Sequence, residues 1–135
     1  FKSFNCIQSI NELIKHGIHN IELSGGKYKI NQIDQLKSEK SLISSLNLQV
    51  HNYFPPPQYP FVFNLASLNK DIATKSINHA LRSIKLASSL KSKYYSFHAG
   101  FLLDPCVNEL GKKIKKRSLY DRNQAKLKFV ERELV

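Results

Sequence analysis

Residues 46–57 read Leu-Asn-Leu-Gln-Val-His-Asn-Tyr-Phe-Pro-Pro-Pro. Apolar and polar residues alternate up to Val50, a pattern that predicts a short strand over residues 46–52. The prolines at positions 55, 56, 57 and 60 are incompatible with a helix interior or a central strand, so the segment 53–67 is predicted to be a loop. A polar residue, His51, therefore stands at the carboxyl end of the strand, directly before this loop.

Two other segments end in the same way. Residues 18–23 form a predicted strand with Glu22 near its end, and Ser24-Gly25-Gly26 breaks the strand. Residues 94–98 form a third predicted strand, which ends in His98 before Ala99-Gly100.

Helices are predicted between these strands, because apolar residues recur there at steps of three and four. The predicted helices cover residues 4–16, 31–45, 69–92 and 118–134. Ser3, Asn69 and Ser118 are the expected N-terminal caps and Gly17 is the expected C-terminal stop of the first helix. The third helix is expected to bury a stripe formed by Ile77, Leu81, Ile84, Ala87 and Leu90.

Strands that alternate with helices predict an α/β fold with a parallel sheet. The predicted strands begin near residues 18, 46 and 94, at intervals of 28 and 48 residues, against about 31 per unit in a barrel of roughly 250 residues. The second interval fits if the proline loop is an insertion. Because 135 residues are too few for a whole barrel, the expected fold is a partial (β/α)8 TIM barrel with parallel strands at about 18–23, 46–52 and 94–98.

Ligands of parallel α/β folds bind at the carboxyl ends of the strands. Glu22, His51 and His98 stand at or near three such ends, and we expect both histidines to face one shared site. Neutral imidazoles suit a divalent metal; without a metal, either histidine would polarise a carbonyl or carry a proton. Glu22 is interpreted as a sugar-hydroxyl acceptor, a base or a salt-bridged structural carboxylate.

The proline loop has two interpretations. Tyr53 and Phe54 beside a stiff proline run would form a wall or lid over a sugar ring; alternatively, they are part of a packed loop. The remaining histidines, His16, His19 and His79, are expected to be structural or at the surface.

The excess of positive charge has two interpretations. The formal net charge is +11, which suggests a nucleic-acid partner. However, most of the positive charge is lysine spread along the chain, and the one cluster, residues 112–117, is either a solvated loop or an anion patch. No apolar run approaches the length of a membrane span and no leader is apparent. Cys6 and Cys106 are interpreted as reduced thiols, so the expected location is cytoplasmic.

Four stretches carry a resemblance to a known family. They are residues 21–26, residues 51–57, residues 64–67 (Asn-Leu-Ala-Ser) and residues 96–101 (Ser-Phe-His-Ala-Gly-Phe). In order and over nearly the whole chain, they resemble the sugar phosphate isomerase/epimerase family. That family belongs to the xylose isomerase-like TIM barrel superfamily, which also includes endonuclease IV-type enzymes.

The resemblance implies a divalent metal ion, such as Mn, Zn, Mg or Co. His51 and His98 match strand-end histidines that bind metal in the endonuclease relatives. In the isomerase relatives, the main metal carboxylates and the proton-transfer glutamates come from later strands. The catalytic residues are therefore expected outside this chain. We expect residues 1–135 to be a single domain, the N-terminal half of a barrel lacking its first strand and strands five to eight.

The implied activity is isomerisation or epimerisation of a sugar or sugar phosphate. Glu22, Asn52, Tyr53 and Phe54 are the expected substrate contacts. The alternatives are endonuclease IV-type phosphodiester hydrolysis and a non-catalytic sugar-binding barrel domain. The chain alone is expected to be inactive and to self-associate through its open sheet edges.

Overall fold

The computed structural model describes residues 5–101 together with residues 104 and 107. Three strands form a parallel sheet in the order β1-β2-β3, which confirms the predicted α/β class. In chain order, the elements are α1 (Cys6–Lys15), β1 (Asn20–Leu23), α2 (Gln32–Ser38), α3 (Lys40–Ser44), β2 (Asn47–His51), α4 (Lys70–Ser89) and β3 (Tyr95–Ser96). The predicted helix over 118–134, the basic cluster 112–117, Ser3 and Cys106 lie outside the described residues.

The chain forms two compact units. The first consists of Phe1–Tyr59 and Asn78–Phe97, and it contains the sheet. The second consists of Pro60–Ile77 and His98–Val135. No helix within the described part of the chain is long and apolar enough to cross a membrane.

The sheet of the first unit is covered by helices on one face. Alternate strand residues, Ile21, Leu23, Leu48 and Val50, are buried in one hydrophobic cluster with side chains from all four helices. The residues between them are exposed, namely Asn20, Glu22, Asn47 and Gln49. The sheet therefore has an apolar face, packed against helices, and an open face, which is polar.

Helix α1 has well-defined signals at both ends. Asn5, not Ser3, is the N-terminal cap, and it forms a capping box with Gln8. At the other end, the N–H of Gly17 donates to the carbonyl of Ile14 and the N–H of Ile18 donates to that of Leu13. These two bonds form a Schellman motif around Gly17 at φ +73, which confirms the predicted stop.

The helix predicted over residues 31–45 is broken in two. Glu39, with ψ +56, separates α2 from α3. The hydroxyls of Ser38, Ser44 and Ser45 each donate to the carbonyl three residues earlier. Serines that bond to nearby backbone compete with a continuous helix, and this accounts for two short helices in place of one long one.

Helix α4 buries a face different from the predicted one. Asn69 caps it as expected, because its side-chain oxygen accepts from the N–H of Asp71 at 2.9 Å. However, Ile77, Leu81 and Ile84 are 51%, 51% and 49% exposed. The buried face contains Ser76, His79, Ser83, Leu86, Ala87 and Leu90. The apolar stripe prediction was therefore wrong at Ile77, Leu81 and Ile84 and correct at Ala87 and Leu90.

The strands are shorter than the apolar patterns that predicted them. Strand β3 contains only Tyr95 and Ser96, and β1 begins at Asn20, after the exposed Ile18. The carboxyl ends agree better with prediction, since β1 ends at Leu23 and β2 at His51.

Candidate functional site

The carboxyl ends of the three strands lie side by side. In the register of the sheet, Leu23 pairs with Val50, Val50 pairs with Tyr95, and His51 pairs with Ser96. His51 is the last residue of the central strand; it pairs with Ser96 of β3, whereas β1 ends at Leu23, opposite Val50. In parallel α/β folds, this edge is where ligands bind.

His51 is held by the strand beside it. Its Nδ1 atom lies 2.8 Å from the Oγ atom of Ser96. The imidazole is half-buried and lies on the open polar face, because strand alternation places it with Gln49. A hydrogen bond to one ring nitrogen fixes the orientation of the ring, as in histidines that bind metal through the other nitrogen.

Glu22 shares this open face with His51. It pairs in register with Gln49, two residues before His51 on the central strand. The carboxylate is exposed and lies one residue before the end of β1. Asn47 and Asn20 on the same face are joined by an amide hydrogen bond of 2.8 Å. Hydrogen-bonding groups therefore line the face from its amino end to His51.

The loop after β2 is anchored through its backbone. The N–H of Asn52 donates to the carbonyl of Ser96 at 2.7 Å. The carbonyl of Asn52 accepts from the Tyr95 hydroxyl at 3.1 Å, and the imidazole of His79 also hydrogen-bonds to the backbone of Asn52. The carbonyl of Phe54 accepts from the Ser83 hydroxyl at 2.8 Å. Sequence reasoning missed these anchors, because they join side chains that are distant along the chain.

Phe54 corrects an expectation of substrate contact. Its side chain is only 2% exposed and belongs to the hydrophobic core. A buried ring offers no surface to a sugar, so Phe54 anchors the loop to the core. The Phe54–Pro55 peptide bond is cis.

Tyr53 and Asn52 are each partly exposed. The Tyr53 ring is half-buried and lies 5.3 Å from the His79 ring, centroid to centroid. Asn52 has φ +42, a conformation that asparagine tolerates better than most residues. Its Oδ1 atom is buried and has no hydrogen-bond partner among the described residues. The amide must therefore rotate before this oxygen can accept from a ligand.

His79 is a buried structural imidazole at the base of the loop. It is 1% exposed, and burial, with a smaller contribution from the nearby Arg82 cation, lowers its pKa below the ordinary value. Burial likewise raises the pKa of the Tyr95 hydroxyl. Both groups are therefore neutral near pH 7, as suits hydrogen bonding to backbone.

His98 belongs to the second unit. It follows β3 by two residues and is exposed. The neighbouring Ala99 carbonyl accepts from the N–H of Leu65 at 3.1 Å. The stretch that carries His98 is thus bonded to the segment 64–67, which is another of the stretches in the family resemblance.

Asn64 organises this part of the second unit. Its amide nitrogen donates to the carbonyl of Phe101 at 3.1 Å and to Oδ1 of Asp104 at 2.7 Å. Its amide oxygen accepts from the N–H of Phe101 at 2.9 Å. The other carboxylate oxygen of Asp104 accepts from the Ser67 hydroxyl at 2.7 Å. Asn64 is 1% exposed, so these bonds fix the loop that follows His98.

The described residues offer only part of the ligand set that a divalent metal ion needs. His51 has the orientation that a metal ligand needs, with one ring nitrogen held by Ser96. Among residues 5–101, 104 and 107, no group of three or more His, Cys, Asp or Glu side chains could hold a metal ion. His51 therefore fits as one ligand, and the described residues do not form a complete set.

Comparisons with protein-family models, with curated proteins and with solved structures found no match for this chain.

Proposed function

We propose that this chain is part of a metal-dependent isomerase or epimerase that acts on a sugar or sugar phosphate. The observation that carries the proposal is the position of His51, at the carboxyl end of the central parallel strand, on an open polar face and held by Ser96. The sequence resemblance to sugar phosphate isomerases supplies the reaction class.

The sheet also supports a barrel. Its strands follow one another in chain order without reversal, and among residues 5–101 the helices bury one of its faces and leave the other exposed. A doubly wound sheet has helices on both faces and reverses its strand order at a switch point, whereas a (β/α)8 barrel has helices on the outside only. We therefore propose that β1, β2 and β3 are consecutive barrel strands, and that residues 1–135 form the N-terminal half of the barrel.

The proposed mechanism assigns each residue a limited role. A divalent ion held by His51 would polarise the carbonyl and hydroxyl oxygens of the sugar. His98 is proposed as a metal ligand on the sequence resemblance alone. Ser96 holds His51 in one orientation. Glu22 accepts a hydrogen bond from a sugar hydroxyl on the open face, and Asn52 and Tyr53 contact the substrate at the edge of that face. Phe54, whose ring is buried, makes no substrate contact. The carboxylates that move protons are proposed to lie on later strands.

Phosphodiester hydrolysis is the second candidate, and the net charge of +11 favours it. It predicts DNA binding that weakens steeply with salt. Failure to bind duplex DNA at low ionic strength would remove this candidate. A sugar-binding domain without catalysis remains the third, and it predicts ligand binding without turnover. The free Cys6 thiol supports a reducing, cytoplasmic location in each case.

The test is an isomerisation assay on the complete polypeptide in which these residues occur. Pentoses, hexoses and their phosphates are incubated with Mn²⁺ or Co²⁺, or with EDTA, and the aldose-to-ketose ratio is followed by NMR. We expect metal-dependent turnover that His51→Asn reduces strongly. His19→Asn is the matched control, because His19 is an exposed histidine that precedes the amino end of β1. Turnover unaffected by either EDTA or His51→Asn would overturn the proposal.

A further inference from the structure

A basic cleft of about 270 Å³ lies in the first unit. It is formed by the loop after β1, the start of α2, the proline segment and α4. Its lining includes Lys29, Gln32, Pro55, Pro56, His79 and Arg82. None of these residues was predicted to bind a ligand.

The lining has the charge of an anion site. Lys29 and Arg82 contribute two cations, and no carboxylate lines the cleft within the described part of the chain. The guanidinium of arginine presents several N–H donors in a planar fork that matches the oxygens of a phosphate. The ammonium of lysine adds a compact positive charge.

The walls of the cleft are rigid. Pro55, Pro56 and Pro57 have a fixed φ, and the carbonyl of Phe54 beside them is held by Ser83. Gln32 is 5% exposed, and its amide nitrogen donates to the Lys27 carbonyl at 3.3 Å. The backbone around the cleft is therefore held in place before binding, and the ordering cost falls on the exposed side chains of Lys29 and Arg82.

The cleft adjoins the end of the central strand. Pro55 follows Asn52 by three residues, so their Cα atoms are separated by at most about 11 Å. The imidazole of His79 connects the cleft with the end of β2, because it lines the cleft and hydrogen-bonds to the backbone of Asn52.

We propose that this cleft binds the phosphate group of a phosphorylated sugar whose sugar ring occupies the strand-end site. The assignment of the phosphate to the substrate rests on the proposed function; the binding of phosphate by the cleft does not. The cleft would make the enzyme selective for sugar phosphates over free sugars.

Calorimetric titration at low ionic strength tests the proposal. The complete polypeptide in which these residues occur is titrated with inorganic phosphate, with ribose 5-phosphate and with ribose. We expect both phosphates to bind and Arg82→Gln to weaken each by at least about tenfold, since charge-assisted hydrogen bonds are lost. Lys85→Gln is the control: Lys85 is an exposed cation three residues further along α4 and does not line the cleft. It should change affinity by less than about twofold, as expected for a distant surface charge.

Histidine NMR locates the ligand. Phosphate should shift the ring signals of His79 and leave those of His19 unchanged. The proposal fails if neither phosphate binds, if Arg82→Gln and Lys85→Gln weaken binding equally, or if the His79 signals do not move. It also fails if a DNA oligonucleotide loses affinity with Arg82→Gln while ribose 5-phosphate does not.

The outcomes separate this proposal from the proposed function. Phosphate binding that depends on Arg82, in a protein without isomerase activity, would support the cleft and refute the reaction. Turnover of free sugars in a protein that does not bind phosphate would support the reaction and refute the cleft.

Discussion

The hydroxyl of Ser96 lies 2.8 Å from Nδ1 of His51, and the two residues are paired in register on neighbouring parallel strands. The chain therefore positions the imidazole through sheet geometry, since 45 residues separate the partners along the sequence.

Ser96→Ala tests whether this bond prepares His51 for a ligand. Loss of a partner that orients a metal-binding histidine typically lowers metal affinity by about 10–100-fold, and we expect a loss in that range for Mn²⁺. The measurement is a titration followed by electron paramagnetic resonance. Ser92→Ala is the control, since its hydroxyl donates to the carbonyl of Tyr94. Equal affinities in both variants would contradict the role given to Ser96.

Ser83→Ala tests the anchor of the proline loop. The Ser83 hydroxyl is fully buried and lies 2.8 Å from the carbonyl of Phe54 and 3.0 Å from that of His79. Its removal leaves the Phe54 carbonyl without this donor. We expect the free energy of unfolding to fall by about 1–3 kcal/mol, measured by urea denaturation. Ser88→Ala, at an exposed position of the same helix, should leave stability unchanged or raise it slightly. A Ser83→Ala variant as stable as Ser88→Ala would count against the anchor.

His79 should make stability depend on pH. Burial holds its pKa below the ordinary value of 6.5, so the unfolded chain takes up this proton at a higher pH than the folded chain. The contribution of neutral His79 to the free energy of unfolding is therefore fully present above pH 6.5. It decreases as the pH falls from there towards the lower pKa of the folded state. Urea midpoints at pH 7.5 and pH 5.5 measure it. The difference between them should shrink in His79→Gln and persist in His19→Gln; an undiminished difference in His79→Gln would refute the assignment.

Gly100→Ala should destabilise the loop that carries His98. Gly100 has φ +154, and an added Cβ would overlap the Oδ1 atom of Asn64. A strained backbone and a displaced buried amide should lower the free energy of unfolding by about 1–3 kcal/mol. Gly25→Ala is the control, because nothing lies within 4 Å of a Cβ there. Thermal unfolding compares the two, and equal melting temperatures would contradict the close approach.

The sequence predicted best what depends on local chemistry. Gly17 ends α1 because a residue with positive φ is needed there, and Asn69 caps α4 through its own side chain. Alternation along 46–52 correctly placed Leu48 and Val50 inside and His51 at the end of the strand. These features follow from neighbouring residues alone.

The features that the sequence did not predict depend on contacts between residues far apart along the chain. Ser83 is buried because it bonds to the Phe54 carbonyl 29 residues away, whereas Ile77 and Leu81 on the same helix stay half-exposed. Phe54 follows three residues that stay partly exposed, yet its ring turns into the core. The partnership of His51 with Ser96 depends on strand register, which the pattern of apolar residues does not fix across a 45-residue separation.

Manganese-induced line broadening tests the central claim most directly, namely that His51 marks a divalent-metal site at the carboxyl edge of the sheet. The histidine ring signals of the complete polypeptide are recorded while substoichiometric Mn²⁺ is added. We expect the His51 signals to broaden saturably, the His19 signals to stay sharp, and His51→Asn to remove the saturable binding. Equal broadening of His51 and His19, or saturable Mn²⁺ binding that survives His51→Asn, would contradict it.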